Sequence, residues 1–334
     1  MTQRTNATNS ELSFHETAQR SFKFVNNFAS QPLVSVGIPT YNRPEGLRRT
    51  LECITGQTYK NLEIIVSDNW SPTSETDLVA NEFVARDPRV SYFKQTRNSG
   101  ASENFRFVLR RARGKYFMWA ADDDEWDRDF ILSCMEAGQT GGSVMCEFET
   151  IFRIDGRVSV NPTPSLSGKA SRFLDASEFL RIMQPSLFYG LHRRSDIQFF
   201  LTDEYFDFYD CYFVLRLILT SGYRTTKGAL YRAGVDSPEY KVKTMDTTRT
   251  RSTGDDLVVD AHHQPVEVTR GRLQYVPFVR RSIGVIFSAE GLSYFHRLVL
   301  VARFFRMLGE IFAHHESRNR PFAARMAAFL LGSR

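Results

Sequence analysis

Short apolar runs and helix-length segments alternate through the first half of the chain. A Val/Ile-rich run in PLVSVGIPTYN ends at Pro39, and further runs follow at Leu62 to Ser67 (LEIIVS), Val90 to Lys94 (VSYFK) and Tyr116 to Trp119 (YFMW). Runs this short and rich in β-branched and aromatic residues read as strands. Between them lie Pro44 to Thr55, Glu75 to Asp87 and Ala101 to Arg113, each long enough for a helix. Strands alternating with helices predict βαβ units on a mostly parallel sheet. Pro44 suits a first helical turn, where no intrahelical N–H is needed, and Glu45 behind it meets the positive end of the dipole.

Beyond Gly138 the alternation weakens. VMCEFETIFR reads as a strand, NPTPSLSGKAS as a loop, and Tyr209 to Thr220 as an aromatic helix stopped by Gly222. Residues 1–31 are rich in Asn, Ser, Thr and Gln and read as a mobile arm with one short helix around Thr17 to Phe28. The expected divisions are that arm, a catalytic domain over 32–235, a polar loop or lid over 236–273, and a basic helical region over 274–334. In the last, Leu298, Val301, Ala302, Phe305, Leu308 and Phe312 recur near a 3.6-residue period, interrupted by Arg297, Arg303 and Arg306.

Composition changes this picture in one place. The 334 residues carry a net charge of +5, yet Pro277 to Arg334 alone holds nine arginines, three glutamates and no lysine. The basicity therefore belongs to the C-terminal helices. Two readings of them stand side by side: peripheral contact with an anionic membrane, or packing on the catalytic domain or a second subunit in a homo-oligomer. Nucleic-acid binding is not expected, because the arginines lie among apolar residues rather than beside stacking aromatics. Cys53, Cys134, Cys146 and Cys211 form no C-x-x-C pair, which argues against a zinc cluster or disulfide framework and for a reducing, cytoplasmic setting. No run of 18 apolar residues occurs, so no membrane-spanning helix is expected.

The candidate chemistry sits at strand ends. In an open parallel sheet ligands bind beyond the carboxyl ends of the strands, and there this chain places Thr40-Tyr41-Asn42, Asp68-Asn69 and Asp122-Asp123-Asp124. Three carboxylates in one turn repel one another, so a cation is expected among them. Mg²⁺ or Mn²⁺ takes oxygen ligands from one or two carboxylates and lets substrate phosphates complete the shell. The competing reading makes one Asp a helix cap and leaves the others solvated, and it makes Asp68 an Asx-turn residue.

VSVGIPTYNRPEGLRRTLECITGQTYKNLEIIVSDNWSPTSE, followed by RNSGASENFRFVLRRARGKYFMWAADDDEWD, resembles the donor-binding half of family 2 glycosyltransferases, and the likeness extends through FYGLHRRSD and FDFYDCYFVLRLILTSGYR. The resemblance implies an α/β A-type glycosyltransferase fold. Its Rossmann-like nucleotide-binding half has a mostly parallel central sheet flanked by helices, and a C-terminal helical extension follows. It implies inverting, Mn²⁺- or Mg²⁺-dependent transfer from a nucleoside-diphosphate sugar to a saccharide or lipid-linked acceptor, in surface polysaccharide assembly.

Carried over by motif, Pro39, Thr40, Tyr41 and Asn42 line the nucleotide and Asp68 contacts its base or ribose. Asp122 and Asp123 face the donor, Asp124 and Asp122 are the metal carboxylates, with Asp122 and Asp124 at the ribose and metal ends and Asp123 able to serve either, and Asp210 is the base. The chain departs from the family at three points. Ala121 stands where Asp is common. Tyr209 replaces the glutamate before Asp210, which leaves Asp207 as a rival base. Ser102-Glu103-Asn104 replaces Ala-Arg-Asn, so a phosphate contact is sought from Arg97, Arg193 or Arg194. A sugar nucleotidyltransferase and a catalytically idle nucleotide-sugar-binding module are the alternatives. The first would need a Gly-rich basic loop that TYNRPEG lacks.

Overall fold

The computed structural model describes residues 31–138, 142–152, 156–160, 162–168, 171–235 and 275–315. The expected N-terminal arm and its helix, the lid at 236–273, and the end of the basic region lie outside these residues.

Two sheets and eight helices are described. The chain runs β1 (Val34–Thr40), α1 (Pro44–Thr55), β2 (Leu62–Asp68), α2 (Glu75–Arg86), β3 (Val90–Lys94), α3 (Ala101–Arg111), β4 (Tyr116–Trp119), β5 (Glu125–Trp126) and α4 (Phe130–Ala137). It continues through β6 (Ser143–Phe152), β7 (Arg157–Val160), α5 (Arg172–Ile182), β8 (His192–Arg193), α6 (Tyr209–Thr220), β9 (Tyr223–Val235), α7 (Val276–Ser288) and α8 (Tyr294–His315). Two 3₁₀ segments, Pro185–Tyr189 and Arg194–Leu201, flank β8. The first sheet has the order β3-β2-β1-β4-β8, parallel except for β8. The second is β5-β9-β6-β7, with β9 and β6 parallel.

Every residue of β1 and β2 is buried, as strands covered on both faces by βαβ crossovers must be. α1 buries Gly46, Leu47, Thr50, Leu51 and Ile54, a stripe that a helical period delivers to one face. At the edge, β3 buries only Val90 fully and ends on an exposed lysine, which blunts a free strand edge. Since β1 pairs with β2 on one side and β4 on the other, the strand order reverses there, and a crevice opens beyond Thr40 and Trp119.

The second sheet was only partly expected. β6 was foreseen as a strand, whereas β9 was not, because RTTKGALYRAG alternates weakly and Gly228 takes φ +108° in its middle. Its place between β5 and β6 decides its conformation. An aromatic core joins the two halves: Trp119 stacks on Phe188 at 4.6 Å between centroids, meets Phe200 at 4.8 Å, and donates from Nε1 to the Phe105 carbonyl at 3.1 Å. Each such ring pair contributes about 0.5–1.5 kcal/mol beyond its buried area. All four cysteines are free, and buried Cys134 and Cys146 hold their sulfurs 3.5 Å apart as thiols. Helices α7 and α8 pack on α6 and α5, so one side of the basic region lies against the catalytic half. Among the described residues no helix is long and apolar enough to cross a membrane.

Candidate active site

The crevice at the β1/β4 switch point is lined by Pro39, Thr40, Tyr41, Arg43, Asn69 and Asn104, together with Phe105, Ala121, Asp122 and Asp123. Tertiary contacts hold it open from below. Asn104 of α3 is buried and donates to the carbonyls of Thr40 and Ser67 at 3.2 and 3.0 Å, bracketing the ends of β1 and β2. Thr50 of α1 donates to the Ala121 carbonyl at 3.0 Å and fixes the turn after β4. Gly46 comes so close to the Asp122 carbonyl that an added Cβ would overlap it, which is why a glycine is needed there.

Two of the three aspartates converge on Arg43 and the third turns away. Asp122 accepts from Thr40 Oγ1 at 2.7 Å and from Arg43 at 3.2 Å. Asp123 pairs with the same Arg43 nitrogen at 2.8 Å. Asp124 turns inward: Tyr231 Oη donates to one of its oxygens at 2.5 Å and the Gly234 amide to the other at 2.9 Å. Burial pushes the Asp122 carboxyl up to about 6, with Arg43 acting against burial and the Asp123 charge adding to it. A buried carboxyl beside a second carboxylate is a setting in which a hard divalent cation stabilises the charged form. Among the described residues no three His, Cys, Asp or Glu side chains converge into a complete cage. One or two carboxylates plus substrate phosphates suffice for Mg²⁺ or Mn²⁺, and the donor set of Asp122 and Asp123 fits that pattern.

A second cavity of about 200 Å³ adjoins the first. It is lined by Asp123 and Asp124, by Asp210 in the first turn of α6, and by a group of rings that includes Phe188, Tyr189, Tyr205, Tyr209 and Tyr231. Asp123 and Phe105 line both cavities, which makes them the seam between the two. Phe208, just before α6, adopts φ +62° and packs on Phe278 of α7 at 5.5 Å between centroids, so α7 supports the backbone that presents Asp210.

Other residues singled out from the sequence fall elsewhere. Asp68 is fully buried beneath the crevice, where its carboxylate accepts from the Ser71 amide at 3.0 Å and from Tyr92 Oη at 3.2 Å, an Asx-turn role. Asn42 is exposed with φ +54° and donates its amide to Ser71 Oγ at 2.7 Å, outside the crevice lining. Arg97 is exposed in the loop after β3, on the crevice side of the sheet. Arg193 requires a correction: β8 pairs it with Tyr116 at the start of β4, the end of the sheet remote from the crevice, and Arg194 there donates to the Gly114 carbonyl at 2.7 Å. Asp207 is exposed and outside the lining of the cavity that holds Asp210. Sequence reasoning passed over Arg43, although it directly follows the Thr40-Tyr41-Asn42 loop. It also passed over Gly46 and Tyr231, whereas Asn69, expected at the end of β2, does line the crevice.

Comparisons with known proteins agree with this geometry. The family described as "Glycosyl transferase family 2" matches residues 35–216. The putative colanic acid biosynthesis glycosyl transferase WcaA of Escherichia coli K12 is 35% identical over 97 residues, covering 29% of this chain and 34% of that protein. The GalNAc(5)-diNAcBac-PP-undecaprenol beta-1,3-glucosyltransferase of Campylobacter jejuni is 33% identical over 111 residues, covering 33% of this chain and 36% of that protein. These stretches span about a third of each relative. Among solved structures, residues 1–349 of S. aureus TarS in complex with UDP-GlcNAc superpose with a TM-score of 0.61 at 16% identity, covering 90% of this chain and 76% of that one, a likeness of fold. With the family match extending over more than half of the chain, the protein belongs to glycosyl transferase family 2.

Proposed function

We propose that the protein is an inverting glycosyltransferase that moves a sugar from a nucleoside-diphosphate sugar to a hydroxyl of a glycan or lipid-linked saccharide, with Mn²⁺ or Mg²⁺ as cofactor. The observation that carries this reading is the seam at Asp123, where the switch-point crevice opens into the aromatic cavity holding Asp210. Pro39, Thr40 and Tyr41 form the wall for the nucleoside, and Asp122, fixed by Thr40, faces its ribose. Asp123 is the carboxylate for the metal, with Asp122 beside it: Asp123 lines both cavities, whereas Asp124 is held by the second sheet through both of its oxygens. The bound metal supplies Lewis-acid stabilisation of the charge that grows on the departing diphosphate.

Asp210 takes the proton of the acceptor hydroxyl as its oxygen forms a bond to the anomeric carbon. The bond from that carbon to the diphosphate oxygen breaks on the opposite face, and inversion follows. General-base assistance of this kind is worth about 10²- to 10⁴-fold. The rings of the second cavity exclude water and offer flat faces to a sugar. Biosynthesis of a surface polysaccharide is the process that this chemistry and the family's named members suggest.

The test is incubation of the protein with UDP-, GDP-, dTDP- and CDP-linked sugars and Mn²⁺, reading release of the nucleoside diphosphate with and without EDTA. Release from one donor that EDTA abolishes and Mn²⁺ restores supports the reading. Binding of a nucleotide-sugar without any turnover would leave a binding module in its place.

A further inference from the structure

We propose that the turn between α7 and α8, with the outer face of α8, is a docking surface for an anionic lipid bilayer. Large apolar side chains gather there in the open: Phe287 at the end of α7 is 38% exposed, and Tyr294, Phe295 and Leu298 in the first turns of α8 are 68%, 71% and 44% exposed. They are part of one helix face. Phe295, Leu298, Ala302 and Arg306, at i, i+3, i+7 and i+11, are all exposed, while Leu300, Phe304, Met307 and Leu308 on the other side are buried against the protein. An exposed Leu alone needs no explanation, but aromatic and aliphatic residues continuous along one outward face mark an interaction surface.

Charge selects the occupant. Arg280, Arg303 and Arg306 are exposed on the same two helices, Arg281 is exposed and paired with Asp203 at 3.7 Å, and Arg297 is half-buried, whereas Glu290 and Glu310 are the two acidic residues between Val276 and His315. A second copy docking on this face through a two-fold axis would set these arginines against their own copies. Residues 316–334 carry four arginines and one glutamate, which adds to the same positive charge. Anionic headgroups attract guanidinium groups while the interface accepts Tyr and Phe rings and a leucine, a pairing that one surface of this kind satisfies in both respects. Because α7 packs through Phe278 on Phe208, next to the turn that presents Asp210, a bilayer engaged here lies against the element that supports the second cavity.

The full-length protein is sedimented with phosphatidylcholine vesicles and with vesicles containing phosphatidylglycerol. Binding is expected to the anionic vesicles alone and to weaken as salt is raised. Phe295→Glu with Leu298→Glu should lower the vesicle partition at least about tenfold. Arg303→Gln with Arg306→Gln should lower it by roughly twenty-five-fold, at about fivefold for each charge. These side chains are exposed, with the Arg303 guanidinium over the Phe173 ring at 5.9 Å, so both variants should stay folded and keep the wild-type nucleotide affinity. Three outcomes overturn the proposal: no binding of the wild type to anionic vesicles, undiminished binding by both variants, or a stable dimer in light scattering that Phe295→Glu dissociates.

Discussion

Tyr231 donates its hydroxyl to the Asp124 carboxylate at 2.5 Å across 107 residues of chain, and the Gly234 amide takes the other oxygen at 2.9 Å. This tie binds the turn after β4 to the middle of the second sheet and separates Asp124 from its two neighbours. Asp124 is held to β9 at the wall of the second cavity, and Asp123 lines both cavities.

The separation is measurable. Tyr231→Phe removes a hydrogen bond to a buried charge and should lower stability by about 1.5–3 kcal/mol while leaving metal-dependent nucleotide binding in place. Asp123→Asn should do the reverse, holding the melting temperature and losing Mn²⁺-dependent binding by more than about tenfold. Calorimetric titration with UDP and Mn²⁺ beside thermal melts of both variants decides the matter. Loss of metal response in the Tyr231 variant alone would assign the ligand role to Asp124.

Asp210→Asn should bind donor as the wild type does and transfer sugar at least about two orders of magnitude more slowly. Single-turnover assays with a responsive donor read this directly. Full activity would remove Asp210 from the role of base and turn attention to Asp207.

Gly46→Ala places a methyl group against the Asp122 carbonyl, and backbone on both sides leaves little room to yield. Overpacking of this kind costs about 1–3 kcal/mol, and the displaced turn should weaken nucleotide binding along with it. A variant with unchanged melting temperature and affinity would show that α1 does not set the height of the aspartate turn.

His192 links stability to pH. It is fully buried, its ring nitrogens lie 2.9 Å from Ser143 Oγ and from the Phe188 carbonyl, and burial lowers its pKa to about 4. The unfolded chain therefore binds the proton first, near pH 6.5. Stability contributed by the neutral ring is present above that value and is lost as pH falls towards 4, by on the order of 3 kcal/mol. Asp122, pushed up to about 6, acts in the opposite sense over part of this range. The measurement is accordingly the difference between wild type and His192→Gln in melts at pH 7 and pH 5. The variant should show the shallower decline on acidification, and parallel declines would dismiss His192 as the titrating group.

The sequence by itself determined the alternation of β1 to β4 with α1 to α3, because buried parallel strands and one-sided helices write distinct periods into the chain. It also brought Thr40 and Asp122 to one crevice, since strand ends at a switch point must meet. What it left undecided were directions. Three aspartates in one turn look alike in sequence, and Thr40, Arg43, Tyr231 and Gly234 orient them from remote positions. Asp68 looked available and is buried under Ser71 and Tyr92. Arg193 looked close, and the antiparallel run of β8 carried it to the far end of the sheet. Strand β9 had little local propensity and exists because β5 and β6 supply its partners. Periodicity is a property of neighbours in the chain, whereas the environment of a carboxylate is set by groups that the fold brings from a distance. The family and the crevice were therefore legible in the sequence, and the orientation and partners of each charge within it were decided by tertiary structure.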